Sequence, residues 1–215
     1  MRGSTDLRLG LSMRVVEATG YVEPRDALAQ DWSVFLKRVL PDAHWIPVPN
    51  IGKDVSELIE YWGLNGFILT GGNNIHDAPI RDETELTMLE YATRNTLPVL
   101  GVCRGMQMIC HYYNQSPLPC QNPHNHVATI HRVHLTDNFL QWDEDELTVN
   151  SFHEQCVGTG DHFRGELKSF AIADDGLVEG VINAEKTLLG IMWHPERENP
   201  ASDFDEYLIR TFFSR

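Results

Sequence analysis

The stretch Leu97-Pro98-Val99-Leu100-Gly101-Val102-Cys103-Arg104-Gly105-Met106-Gln107 decides how this chain folds. Its apolar first half has the length of a buried strand, and Met106, Ile109, Cys110 and Tyr113 follow at helical spacing. Between them, Gly-x-Cys-x-Gly allows a turn so tight that the central side chain stands at the carboxyl end of a sheet. Cys103 then lies at a helix N-terminus, where unpaired N–H groups and the helix dipole favour a thiolate. A small thiol filling a core between two glycines fits the same residues, so the rest of the chain has to discriminate.

Upstream, short apolar strands alternate with helical stripes. Leu7 to Met13 reads as a strand, Asp26 to Leu40 as a helix stopped by Pro41, and His44 to Val48 as a second strand. Asp54 to Tyr61 reads as a capped helix, Gly66 to Thr70 as a strand running into Gly71-Gly72, and Arg81 to Asn95 as a helix. This order predicts an α/β fold with a mostly parallel sheet and helices on both faces. Beyond Tyr113 the texture changes. Pro117, Pro119 and Pro123 break any helix, and His126 to Leu135 is extended in character. Short strand-like pieces at Leu147–Val149, Phe170–Ala173, Leu177–Ile182 and Leu188–Trp193 predict added strands in the C-terminal half. Asp203 to Phe213 closes as a helix with Phe204, Tyr207, Leu208 and Phe212 on its buried face. One domain over residues 7–215 is the expectation for this length, and residues 1–4 carry no weight in it.

The net charge of −14 argues against nucleic-acid polymers and anionic membranes as partners. No run approaches the apolar length of a membrane span, and the N-terminus lacks the core of a signal peptide, so a cytoplasmic protein is expected. The four cysteines, 103, 110, 120 and 156, show no paired spacing, which favours reduced thiols. Cys110 falls on the buried face of the elbow helix. His124, His126, His131 and His134 match no familiar Cys/His spacing and are read as polar histidines on a loop and strand; no metal and no cofactor is expected.

After the apolar strand at Leu188–Trp193 come His194-Pro195-Glu196. Residues two apart in an extended segment share a face, so His194 and Glu196 form an imidazole with its own carboxylate. Cys103, His194 and Glu196 are therefore the candidate triad: nucleophile, acid–base and orienting group. Oxyanion donors are expected from the backbone N–H groups of Arg104 and Gly72.

Together, Gly101-Val-Cys103-Arg-Gly105-Met-Gln107, Thr70-Gly71-Gly72-Asn73, Asn150-Ser151-Phe152-His153 and His194-Pro-Glu196 resemble the class I glutamine amidotransferase-like superfamily, and within it the gamma-glutamyl hydrolases of peptidase C26 type. The resemblance implies a flavodoxin-like core and a gamma-glutamyl thioester on Cys103 that water hydrolyses to release glutamate from a small-molecule substrate. By position it implies that Gln107, Asn150, Ser151 and His153 help hold the glutamyl head group, and the Cys103-Arg104-Gly105 form favours a stand-alone hydrolase. Arg25 to Trp32 and Gly190 to Glu198 are similar to the branch acting on gamma-glutamyl-CDP-amidate in capsular phosphoramidate synthesis. The alternatives are a gamma-glutamyl-gamma-aminobutyrate hydrolase of polyamine breakdown and a glutaminase subunit supplying ammonia to a separate synthase. A homo-oligomer is compatible with the sequence.

Overall fold

The computed structural model describes residues 6–136, 141–159, 166–198 and 200–214. Five strands make its parallel centre: β1 (Arg8–Ser12), β4 (His44–Val48), β5 (Gly66–Leu69), β6 (Val99–Val102) and β13 (Leu188–Ile191). They lie side by side in the order β4-β1-β5-β6-β13, the flavodoxin-like arrangement. Every residue of β5, β6 and β13 is buried. Such strands are covered on both faces, which is why they read as unbroken apolar runs.

Two helices cover one face. Trp32, Phe35, Leu36 and Val39 of α1 (Asp31–Val39) pack there with Phe204, Leu208, Ile209 and Phe212 of α5 (Asp203–Phe213). The Ser202 hydroxyl caps α5 by accepting the Asp205 N–H at 3.1 Å. On the other face lie α2 (Val55–Trp62), α3 (Pro79–Asn95) and α4 (Arg104–Tyr112) around Ile59, Met88, Met106 and Ile109. Cys110 is fully buried in this layer, and burial pushes its thiol well above the usual range.

From β13 the sheet continues antiparallel through β12 (Leu177–Asn183), β11 (Leu167–Ala173), β8 (Val127–Leu135) and β9 (Glu146–Phe152). A side branch, β7 (Leu118–Pro119) with β10 (Gln155–Thr159), joins at β12. These are the added C-terminal strands.

Four expectations change, one of them at Asp54, whose side chain makes no capping hydrogen bond to α2. Asp26 to Ala29 is not helical: β3 (Pro24–Ala27) pairs with β2 (Arg14–Glu17) in a separate hairpin. The Asp26 carboxylate there accepts from the backbone and side-chain N–H groups of Asn50 at 2.8 and 2.6 Å, so the helix begins only at Asp31. Tyr207 is 37% exposed and lies at the edge of the buried face of α5. Cys120 and Cys156 are disulfide-bonded rather than reduced. Antiparallel pairing of β7 with β10 sets their Cα atoms 5.0 Å apart, a proximity that a separation of 36 residues does not announce. His126 precedes β8 and His131 lies on it, the loop and strand read for them, with side chains only 1% and 13% exposed. No helix among the described residues is long and apolar enough to cross a membrane.

Candidate active site

The carboxyl ends of β1, β5, β6 and β13 converge on a cleft of about 460 Å³ lined by Arg14, Gly71, Gly72, Cys103, Gln107 and His194, among others. Cys103 occupies the junction of β6 and α4 with φ 53° and ψ −107°. A non-glycine residue in that region is strained by about 1–3 kcal/mol and persists only where its surroundings force it. They do so here: a Cβ on Gly105 would lie 2.0 Å from the Leu69 carbonyl oxygen, and one on Gly101 would lie 2.5 Å from the Gly105 backbone. The two glycines let strand and helix close around the turn. The Cys103 N–H donates to the Ile191 carbonyl at 2.7 Å. It is thus occupied, and the N–H groups of the first turn of α4, beginning with Arg104, face the cleft end of the helix.

His194 follows β13 with its ring 2% exposed, and its Nδ1 lies 2.7 Å from Glu196 Oε1. Burial alone would lower its pKa, but the hydrogen bonds to Cys103 and Glu196 outweigh burial and push it up to about 9. The imidazolium form is the one a neighbouring thiolate favours. Asn150 fixes the histidine backbone: its Oδ1 accepts the His194 N–H and its Nδ2 donates to the His194 carbonyl, both at 2.9 Å.

The double-glycine loop is held from two sides. Asn73 Oδ1 accepts from Val15 N–H at 2.8 Å and its Nδ2 donates to Val15 O at 2.9 Å, tying the loop to β2. Arg81, fully buried, donates through Nη2 to the carbonyls of Thr70 at 2.7 Å and Gly71 at 3.1 Å. In a trans peptide the C=O and N–H point in opposite directions. With the Gly71 carbonyl drawn to Arg81, the Gly72 N–H is turned the other way, as an oxyanion donor would be. Gly72 itself has φ 112°, open to glycine only at low cost. Gly71 is packed between the catalytic candidates, since a Cβ there would approach His194 Cε1 to 2.7 Å and the Cys103 Cβ to 3.7 Å. Gly71→Ala is therefore expected to displace the imidazole and lower kcat by about 100-fold with little change in the circular dichroism spectrum.

Arg81 belongs to a buried ionic cluster that sequence patterning did not single out. Its Nε donates to Glu85 Oε1 at 2.9 Å, and the Arg104 guanidinium pairs with Glu85 and Asp82. The side chain of Arg104 thus runs into α3 and is 1% exposed. Only a helix interior carrying Asp82, Glu85 and Arg81 on a buried face hinted at this, through its low apolar content.

The other predicted binding residues divide. Gln107 and His153 line the cleft, and Gln107 Nε2 donates to the Gln155 carbonyl at 3.0 Å. Asn150 and Ser151 do not line it; Ser151 Oγ donates to the His126 carbonyl at 2.7 Å and is fully buried. Arg14 and Arg197 were not anticipated and bring positive charge to the cleft. Arg197 stacks over Phe152 at 4.4 Å from the ring centroid, and Phe152 meets His194 at 5.9 Å.

A cysteine elbow at the carboxyl end of a flavodoxin-like sheet, with a histidine and carboxylate from the adjacent strand end, defines the glutamine amidotransferase-like class of α/β proteins. The fold is that of a Thermoplasma acidophilum protein designated a GMP synthase subunit, with TM-score 0.72, 20% identity and coverage of 98% of this chain and 94% of that one. A glutamine amidotransferase from Thermotoga maritima superposes with TM-score 0.65 at 12% identity, covering 95% of this chain and 82% of the other. Residues 25–196 match the Peptidase C26 family, and the chain belongs to it. Among curated relatives, it is 26% identical over 212 residues to the gamma-glutamyl-CDP-amidate hydrolase of Campylobacter jejuni, spanning 96% of this chain and 97% of that enzyme. It is also 28% identical to protein NtpR of Enterococcus hirae over 69% of this chain and 74% of the relative.

Proposed function

We propose that the chain is a cysteine hydrolase of gamma-glutamyl amides, and that its substrate carries an anionic, nucleotide-like leaving group. The observation that carries the reading is the His194–Glu196 pair at 2.7 Å beside a thiol held at φ 53°. In this mechanism the Cys103 thiolate attacks the gamma-carbonyl carbon, and the oxyanion is received by the N–H groups of Arg104 and Gly72. His194 gives its proton to the departing nitrogen, leaving a gamma-glutamyl thioester. Water then adds to the thioester, His194 takes up its proton, and glutamate and the free thiol are released. Glu196 keeps the imidazole in the tautomer this exchange needs.

Arg14 and Arg197 support the leaving-group class. Among the described residues Arg14 forms no ion pair, and a free guanidinium in a cleft suits a phosphate or phosphoramidate oxygen. The likeness to the Campylobacter jejuni enzyme points the same way. The test is glutamate release by the purified chain from a gamma-glutamyl nucleotide phosphoramidate, gamma-glutamyl-gamma-aminobutyrate and glutamine. The phosphoramidate is expected to give the highest kcat/KM, with Arg14→Ala raising KM for it about 10-fold or more and leaving the aminobutyrate compound nearly unaffected. Release of glutamate from none of the three would sink the hydrolase reading. Preference for the aminobutyrate compound would leave the hydrolase and overturn the anionic leaving group.

A further inference from the structure

Beside the cleft, which His153 itself lines, four side chains turn toward one another without a part in the proton transfers above. His126 directly precedes β8 and His131 lies on it, Glu179 lies on β12, and His153 stands between β9 and β10. The side chains of His126, His153 and Glu179 are 1%, 2% and 1% exposed and that of His131 13%. His126 Nδ1 and His153 Nε2 lie 3.6 and 3.4 Å from Glu179 Oε1, and His131 Nε2 lies 3.6 Å from Glu179 Oε2. Hydrogen bonds of this type are made at about 2.7–3.2 Å, so these are not hydrogen bonds. All five of these facing atoms are buried and without a hydrogen-bond partner. These groups thus face one another at 3.4–3.6 Å as imidazole–carboxylate pairs without reaching hydrogen-bond geometry.

The same distances suit a different occupant. In a tetrahedral site with ligands about 2.0–2.1 Å from zinc, neighbouring donor atoms are about 3.3–3.4 Å apart. The donor atoms of His126, His131 and Glu179 all lie within 4.8 Å of one another. The outward nitrogen of each imidazole is held as well: His126 Nε2 by Asp175 at 2.8 Å, His131 Nδ1 by the Asn125 carbonyl at 3.3 Å, and His153 Nδ1 by the Gln155 carbonyl at 3.2 Å. Outer partners of this kind fix the tautomer and ring orientation of metal-bound histidines. Imidazoles with one carboxylate suit zinc, cobalt and nickel, whereas magnesium and calcium take oxygen.

From this convergence we propose that His126, His131 and Glu179 bind one divalent transition-metal ion of the zinc type, with His153, whose Nε2 lies 3.4 Å from Glu179 Oε1, at the edge of the site. The ion ties β8 to β12 beside the Phe152–Gln155 segment that lines the cleft. Its role is structural, since its three side chains are no more than 13% exposed and none of them exchanges a proton with Cys103 in the mechanism above. On its other side His153 Nδ1 lies 3.8 and 3.9 Å from the sulfurs of Cys120 and Cys156, which the disulfide removes as competing thiolate ligands.

The test uses the full chain carrying Cys103→Ala, so that the elbow thiol cannot take the metal, in non-reducing buffer. After chelator treatment and dialysis it is titrated with cobalt(II) and then zinc(II). Binding of one cobalt per chain is expected, with tetrahedral d–d absorption, no thiolate-to-cobalt charge-transfer band, and displacement by zinc. Zinc at about 100 times its Kd is expected to raise Tm by about 5–10 °C. Asp175→Asn alters a partly exposed outer partner and is expected to weaken cobalt binding about 10–100-fold, His131→Ala to abolish it, and the surface change His134→Ala to leave it intact. No cobalt uptake, a thiolate charge-transfer band, or binding indifferent to both Asp175→Asn and His131→Ala would each overturn the site.

Discussion

His194→Ala is expected to lower kcat by about 10⁴–10⁶-fold, whereas His153→Ala mainly raises KM. Both histidines reach the cleft, but only His194 meets a carboxylate through Nδ1 while its other side faces Cys103. The nitrogens of His153 face the Gln155 carbonyl and Glu179. It can shape the wall but is not placed to exchange a proton with Cys103. Loss of turnover in the His153 variant with His194→Ala still active would reverse the roles.

The pH dependence gives a second handle on the same residue. Because the folded pKa of His194 is raised from 6.5 to about 9, kcat/KM is expected to fall as pH rises through about 9, where the proton for the leaving group is lost. Stability follows the same sign. A raised folded pKa gives stabilisation that is full below the unfolded value near 6.5 and disappears as pH climbs through about 9. The urea midpoint of the wild type should therefore drop more between pH 6 and pH 10 than that of His194→Ala. Glu196→Gln removes one of the interactions that raise the pKa and should move the alkaline limb to lower pH.

The parts of the site that were legible in the sequence are those in which local chain geometry fixes the outcome. A strand running into Gly-x-Cys-x-Gly at 101–105 admits few conformations; His194 does meet Glu196, but through the 3-10 turn Pro195–Arg197 and not along the extended segment that the sequence suggests. The parallel pairing, though not the order of the strands, was readable for the same reason, since strands buried on both faces carry apolar runs that alternate with helical stripes. Features assembled from distant segments were not readable. Asp26 looks like a helix start until Asn50 takes its carboxylate, and Cys120 meets Cys156 only because two short strands pair. Ser151 and Asn150 sit in a motif beside the cleft, yet their hydrogen bonds run to His126 and His194, which makes them fasteners of backbone. The ionic cluster under the elbow left only the low apolar content of α3 as a trace, because charged residues in a helix are ordinarily solvated. Here α3 buries Arg81, Asp82 and Glu85.

That cluster carries the largest expected effect on stability. Glu85→Ala would leave the guanidinium groups of Arg81 and Arg104, 0% and 1% exposed, without their shared carboxylate. Removing one partner from a buried ion pair costs about 3–5 kcal/mol. For a chain of this size that corresponds to a fall in Tm of about 6–20 °C. By contrast, breaking the Arg38–Glu206 pair, whose arginine side chain is 44% exposed, should cost no more than about 1 kcal/mol. Acid sharpens the distinction. Burial by itself would raise the Glu85 pKa, but Arg104 and then Arg81 outweigh it and hold the carboxyl below its usual 4.5. A depressed folded pKa gives stabilisation that is present above the unfolded value and lost as pH falls through the folded one. The Tm gap between wild type and Glu85→Ala should thus be widest near neutral pH and narrow in acid. Folded Glu85→Gln, which keeps the shape and loses the charge, should also turn over more slowly. Arg81 holds the Gly71 carbonyl, and a loosened Arg81 lets the Gly72 N–H swing from the position where an oxyanion would form. A Glu85→Gln enzyme with reduced Tm and unchanged kcat would show that the cluster supports the fold without aiming the loop.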